Sequence, residues 1–385
     1  MDQNKKIRVL IVDDSAVYRT LISTSMSGKA GIEVVGISVD AYDAQDKIAQ
    51  LQPDVLVLDV EMPKMTGIEL TKKLMSTAPM PIILVSSANI SVFDALQAGA
   101  VDFVRKPDSH RTISPEAFIG DLINKIQIAS IARVSKHPPV KPLESVQRAA
   151  VSIPPSSAGI KTSTVDSIKT AASASASVAS ILGTTLKDCS DKVCNSTIIA
   201  LGASTGGTEA TYEVLKRLPA KIPPILIVQH MPIVFTRLYA ERLDKLCAMG
   251  VKEAEDNDVL KPGQVYIAPG DRQMRLVKMG SLYKLRCQGT DKVSGHCPSV
   301  DVLFESVANE SSLHNVGIIL TGMGKDGAAG LLEMRKKGAY TIGESPESCV
   351  VYGMPMVAQK IGAVQIQATN KEIPTILMRH LNTLG

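Results

Sequence analysis

The sequence predicts two doubly wound, mostly parallel α/β domains joined by a linker, on three observations. In both halves of the 385-residue chain, short apolar runs alternate with stretches of helical spacing. The runs are apolar at every position, which suits strands of a parallel sheet covered on both faces. Between the halves, residues 135–190 lack Phe, Tyr and Trp and contain PPVKP, IPPSS and TAASASASVAS. Such a stretch buries too little apolar surface to offset its ordering entropy, so it reads as flexible. The boundaries that follow are 1–130 for the first domain, 131–192 for the linker and 193–385 for the second domain.

In the first domain IRVLIV, IEVVGI, DVLVLD, PIILVSS and VDFVRK read as strands. The helical patterns between them are AVYRTLISTSM, AYDAQDKIAQL, TGIELTKKLMS and ISVFDALQAG, and SPEAFIGDLINKIQIA follows the last strand. Five βα units make a doubly wound sheet, whose sites lie at the carboxyl ends of its strands. In the second domain the strands are STIIALGA, ILIVQH, QVYIAP, VGIILTG and AYTIGE. TEATYEVLKRL, FTRLYAERLDKLC, VDVLFESVANE, GAAGLLEMRKKG and MPMVAQKIG are its helices. MRLVKMGSLYKLRC reads as an antiparallel hairpin turning at Met279-Gly280-Ser281.

Composition excludes several classes. With 42 basic and 38 acidic residues the net charge is +4, too balanced for a nucleic-acid surface. No apolar run approaches the roughly 20 residues of a membrane-spanning helix. Asp13 and Asp14 interrupt the N-terminal apolar run where a signal peptide would continue, which predicts a soluble cytoplasmic protein with no membrane insertion. The six cysteines form no C-x-x-C pair and read as reduced structural thiols.

At the carboxyl edge of the first sheet the predicted strand ends gather Asp13, Asp14 and Asp59, with Ser86 and Lys106 beside them. Mutually repelling carboxylates suit a hard divalent cation, and Mg²⁺ is the natural choice because it favours a few carboxylates plus water. Carboxylates, cation, hydroxyl and ammonium together suit phosphoryl transfer, with Asp59 as the acceptor. A lone acid at a strand end commonly just caps a helix; five such groups at four strand ends exceed that. VDDS, DVEMPKMTG, VSS and RKP resemble the markers of a two-component receiver domain, a flavodoxin-like fold, over residues 7–130. The resemblance implies phosphorylation of Asp59 by a histidine kinase, with Asp13 and Asp14 holding Mg²⁺ beside Asp59, and a switch role for Ser86 and Phe103. Thr66 departs from the family, which often has Asp there.

In the second domain the turn IIALGASTGG admits two chemistries: a cradle for phosphate on backbone N–H groups, or a nucleophile elbow carrying Ser204. On this stretch alone the two stand level. The following strand ends in His230, where a dinucleotide fold would place an acid for the ribose. A later strand runs into TGMGKDG, which carries Asp326. Ser204, His230 and Asp326 therefore supply nucleophile, base and orienting acid at one sheet edge. Backbone N–H groups of the TGMGKDG turn, at Met323, or on the Thr205 side are the candidates for an oxyanion hole. His296 is left between a structural and a substrate-contacting role, and Asp326 could instead cap GAAGLLEMRKK.

GASTGGTEA, QHMP, VKEAEDND, YIAPGD, PSVDVLF, ILTGMGKDGAAG and SCVVYGMP resemble the Rossmann-like catalytic domain of the chemotaxis protein-glutamate methylesterase (CheB) family, over about residues 195–367. That resemblance implies hydrolysis of glutamate γ-methyl esters on methyl-accepting chemoreceptors, and deamidation of receptor glutamines, without a cofactor for either. A receiver packed over the catalytic edge would restrain the enzyme until phosphorylated. The rival readings are a DNA-binding regulator, a nicotinamide-dependent oxidoreductase and a receptor-binding scaffold without catalysis. The α/β output, His230 in the ribose-acid position and the complete triad respectively speak against them.

Overall fold

Continuous apolar runs become parallel strands in both halves of the molecule. The computed structural model describes residues 6–29, 31–86, 91–107, 114–134, 186–310 and 312–385. The first half runs β1 (Ile7–Val12), α1 (Ala16–Met26), β2 (Ile32–Ser38), α2 (Ala41–Leu51), β3 (Val55–Asp59), α3 (Gly67–Thr77), β4 (Ile82–Ser86), α4 (Ser91–Gln97), β5 (Asp102–Arg105) and α5 (Pro115–Ala129). Its five parallel strands lie in the order β2-β1-β3-β4-β5. Every residue of β3 and β4 is buried, as helices on both faces require. Thr66, the departure from the receiver pattern, caps α3: its hydroxyl accepts the Glu69 N–H while Glu69 reaches back to the Thr66 N–H.

The second half runs α6 (Asp191–Ser196), β6 (Thr197–Ala203), α7 (Gly207–Leu215), β7 (Ile225–Gln229), α8 (Phe235–Leu246), β8 (Gly250–Glu253), β9 (Gln264–Ile267), β10 (Met274–Met279), β11 (Leu282–Cys287), α9 (Val300–Ala308), β12 (His314–Ile319), α10 (Ala328–Lys336), β13 (Tyr340–Glu344), α11 (Met354–Lys360), β14 (Ile366–Ala368) and α12 (Ile373–Asn382). Seven strands form a parallel sheet in the order β14-β13-β12-β6-β7-β9-β8. The chain winds outward from β6 in one direction and from β12 in the other. The reversal falls between β12 and β6, and the carboxyl ends of strands at such a reversal are where a doubly wound sheet binds its ligands. The hairpin β10–β11 stands apart as its own antiparallel sheet, turning between Met279 and Leu282 as predicted.

Sequence reading missed the short elements β8, β14 and α6, and also α12, a ten-residue helix that buries Ile373, Leu377, Met378 and Leu381. Packed chain also resumes earlier than residue 193: Leu186 packs on the core, Cys189 is buried, and Ser190 caps α6. The rest of the predicted linker, 135–185, lies outside the described residues. All six cysteines are free, and no helix of the described residues is long and apolar enough to cross a membrane.

Candidate active site

Strand ends bring the predicted groups of the first sheet together. Asp13 follows β1, Asp59 ends β3, Ser86 ends β4 and Lys106 follows β5. The buried Lys106 ammonium lies 2.9 Å from Asp13 Oδ2 and 2.8 Å from Asp59 Oδ2. Asp14 is exposed, and one oxygen from each of Asp13, Asp14 and Asp59 lies within 4.8 Å of the others. Burial pushes the Asp59 carboxyl up to about 6, with Lys106 opposing and the Asp13 charge adding to the rise. A cluster of hard oxygen donors in this crowding fits a divalent cation. The Ser86 hydroxyl is buried without a hydrogen-bond partner among the described residues, which leaves it open to an incoming oxygen.

The second sheet assembles a different set. Ser204 follows β6; its N–H donates to Thr321 O at 3.0 Å and its carbonyl accepts from Gln229 Nε2 at 2.8 Å. Gly206 turns the chain into α7 at φ 77°, a left-handed conformation that glycine adopts without a Cβ penalty. A Cβ on Gly322, the first glycine of TGMG, would lie 2.6 Å from Ser204 Cβ, so the two turns meet only because that residue is glycine.

His230 follows β7, and its Nε2 lies 2.8 Å from Asp326 Oδ2. With its Nε2–H donated to the Asp326 carboxylate, His230 keeps the lone pair on Nδ1. That nitrogen is buried without a hydrogen-bond partner, and no described hydrogen bond joins it to Ser204. Asp326 does not cap α10 as one reading allowed; it sits on the N-terminus of α9 instead. Its carboxylate accepts the Ser299 hydroxyl at 2.7 Å and the N–H groups of Val300 and Asp301 at 2.8 and 3.1 Å. Those are donors a helix start leaves unpaired, and they favour negative charge. Burial would raise the Asp326 carboxyl, but His230 and these donors outweigh it and hold it at about 2.

His296 stacks on His230, with ring centroids 3.7 Å apart and planes 10° from parallel. Burial, then the neighbouring His230, pulls its imidazole down to about 4. Of the candidate oxyanion groups, Met323 sits on the exposed rim. Thr205 is buried, and its hydroxyl donates to Asp102 of β5 at 2.8 Å.

Comparison with known proteins agrees with both halves. Residues 199–377 match the family model described as CheB methylesterase, and residues 9–115 match that of the response regulator receiver domain. A protein-glutamate methylesterase/protein-glutamine glutaminase 2 from Syntrophomonas wolfei is 45% identical, with 99% of each chain covered. A protein-glutamate methylesterase/protein-glutamine glutaminase from Syntrophotalea carbinolica is 44% identical, with 93% of each chain covered. The chain belongs to the CheB methylesterase family. The crystal structure of the Thermotoga maritima CheB methylesterase catalytic domain aligns at 37% identity and a TM-score of 0.46, covering 48% of this chain and 97% of that one.

In this CheB-family chain the receiver lies against the edge that carries Ser204. Asp102, which accepts from Thr205, is held by Lys125 of α5 at 2.9 Å. Phe103 packs on Phe235 at 4.4 Å between centroids, and Phe93 stacks on Tyr239 at 5.6 Å. Arg133 donates from its N–H to Val350 O at 2.9 Å and from Nη1 to Pro346 O at 3.1 Å. Ser299, Gln273 and Glu344 were not singled out from the sequence. Ser299 was legible, standing as a helix cap before VDVLF. Gln273 was not: it joins Ser299 N–H to the His296 carbonyl across distant segments.

Proposed function

We propose that this chain is a phosphorylation-activated protein-glutamate methylesterase, with protein-glutamine glutaminase activity, that acts in the cytoplasm on chemoreceptors. The observation that carries the reading is the His230–Asp326 pair, anchored on α9, with Nδ1 uncommitted on the strand beside Ser204. In this reading His230 removes the Ser204 proton as the serine oxygen attacks the γ-ester carbonyl of a receptor glutamate. The oxyanion is received at the Thr205 and Met323 turns. His230 then returns the proton to the leaving group, methanol from an ester or ammonia from a glutamine, and water hydrolyses the glutamyl-serine. Asp326 orients the imidazole throughout and offsets its charge.

Regulation enters through Asp59, which a histidine kinase would phosphorylate. Asp14 and Asp59, with Asp13 nearby, would hold Mg²⁺, which when bound neutralises charge on the transferring phosphoryl group. In this reading Lys106 and Ser86 would contact the phosphoryl oxygens, with Ser86 and Phe103 as the switch pair. Support for restraint by the receiver comes from the Asp102–Thr205 hydrogen bond and the Phe103–Phe235 packing, both at the Ser204 edge. The test of the chemistry is methanol release from methylated receptor by wild type and Ser204→Ala. The variant is expected to lose activity by at least about 10⁴-fold while Asp59 is still phosphorylated. Release retained in the variant would refute the assignment.

A further inference from the structure

Glu344 ends β13, beside the strand that delivers the TGMG turn, and it is fully buried. A carboxyl withdrawn from water destabilises a fold unless neighbours satisfy it. Here Oε2 accepts the Thr321 N–H at 2.7 Å and Oε1 accepts the Ser348 hydroxyl at 2.8 Å. Burial raises this carboxyl above its usual range, and no ion pair among the described residues reaches it to offset that.

Thr321 passes the constraint on. Its carbonyl accepts the Ser204 N–H at 3.0 Å, and its hydroxyl donates to the Thr205 carbonyl at 3.0 Å. The same hydroxyl accepts the Val351 N–H at 3.0 Å, which ties the loop after β13 to the same point. The Ser204–Thr205 dipeptide is thus fastened at both ends to one residue, and that residue is fastened to Glu344.

We propose that Glu344 is a positioning residue for Ser204: by accepting the Thr321 N–H it fixes the turn that sets where the serine hydroxyl points. The proposal rests on the reading of Ser204 as nucleophile. Glu344 touches neither Ser204 nor its proposed base, so its effect falls on geometry. Misplacing a reacting group by about 1 Å costs on the order of 100-fold in rate, even when the change lies away from the chemistry.

The test uses the full chain, activated with a small phosphodonor, as wild type, Glu344→Ala, Glu344→Gln and Thr321→Val. Two quantities are measured: kcat and KM for methanol release from methylated receptor, and the rate at which a fluorophosphonate labels Ser204. Glu344→Ala is expected to lower kcat and labelling together by roughly 10- to 100-fold, with KM held within about twofold. Glu344→Gln keeps an oxygen for the Thr321 N–H and restores most of both. Thr321→Val keeps the N–H that Glu344 accepts but removes the hydroxyl bonded to Thr205, so it should lower kcat and labelling together; it tests the Thr321 link where Glu344→Ala does not fold. Unchanged kcat and labelling in Glu344→Ala or Thr321→Val overturns the proposal, as does a Gln variant no better than Ala. A wild type that releases no methanol defeats the reading of the activity instead, while the labelling rates still test Glu344.

Discussion

The two sheets present their functional groups at the same kind of edge and hold them by different means. At the receiver edge the groups hold one another: Lys106 bridges Asp13 and Asp59 directly. At the Ser204 edge the groups are held by scaffolding. Asp326 rests on the start of α9, His230 lies under His296, and Ser204 is tied through Thr321. Strong opposite charges find each other at short range with little guidance, whereas a neutral serine and imidazole attract weakly and need fixed neighbours. A charge-built site should therefore fail when a charge is lost, and a scaffolded one should fail in graded steps.

The largest effect expected is from Asp326→Asn, which keeps the shape but removes the charge beside His230 Nε2. Methanol release should fall by about 10³- to 10⁴-fold with Asp59 phosphorylation intact. A loss below about tenfold would show that the α9 N-terminus, not the charge, sets the imidazole. Next, Asp59→Asn should erase stimulation by a phosphodonor altogether, read as the ratio of methanol release with and without it; any stimulation left would mean that the receiver edge does not act through Asp59.

Asp102→Ala removes a hydrogen bond to a charged acceptor, worth about 1.5–3 kcal/mol. Release from the unphosphorylated chain should rise roughly tenfold, and no rise would mean that this contact does not restrain the Ser204 edge. Ser299→Ala deletes one of the three donors at the start of α9 that share Asp326, a bond to a charged acceptor at the low end of about 1.5–3 kcal/mol, so kcat should fall roughly tenfold. A fall as large as that of Asp326→Asn would contradict the graded picture.

The smallest effect concerns pH. His296 titrates near 4 in the fold against 6.5 when exposed, so the unfolded chain binds the extra proton first. Stability from this group is intact above 6.5 and declines as pH falls toward 4. His296→Gln should flatten that part of the thermal-stability profile, and an unchanged slope would show that other groups govern it.

Much of this was legible in the chain itself. Both doubly wound domains, the hairpin, and the strand-end positions of Asp13, Asp59, Ser204 and His230 follow from apolar runs that stop at polar residues, because a buried parallel strand tolerates chemistry only at its end. What the sequence could not contain is which distant groups fasten those ends. That Asp326 belongs to α9 rather than α10, that His296 covers His230, that Asp102 takes the Thr205 hydroxyl and that Glu344 grips Thr321 all join residues far apart in the chain. Periodicity is a local signal and names the residues that must leave water. Only packing decides which donors meet the acceptors buried with them, since each such pairing is set by sheet order and helix placement together.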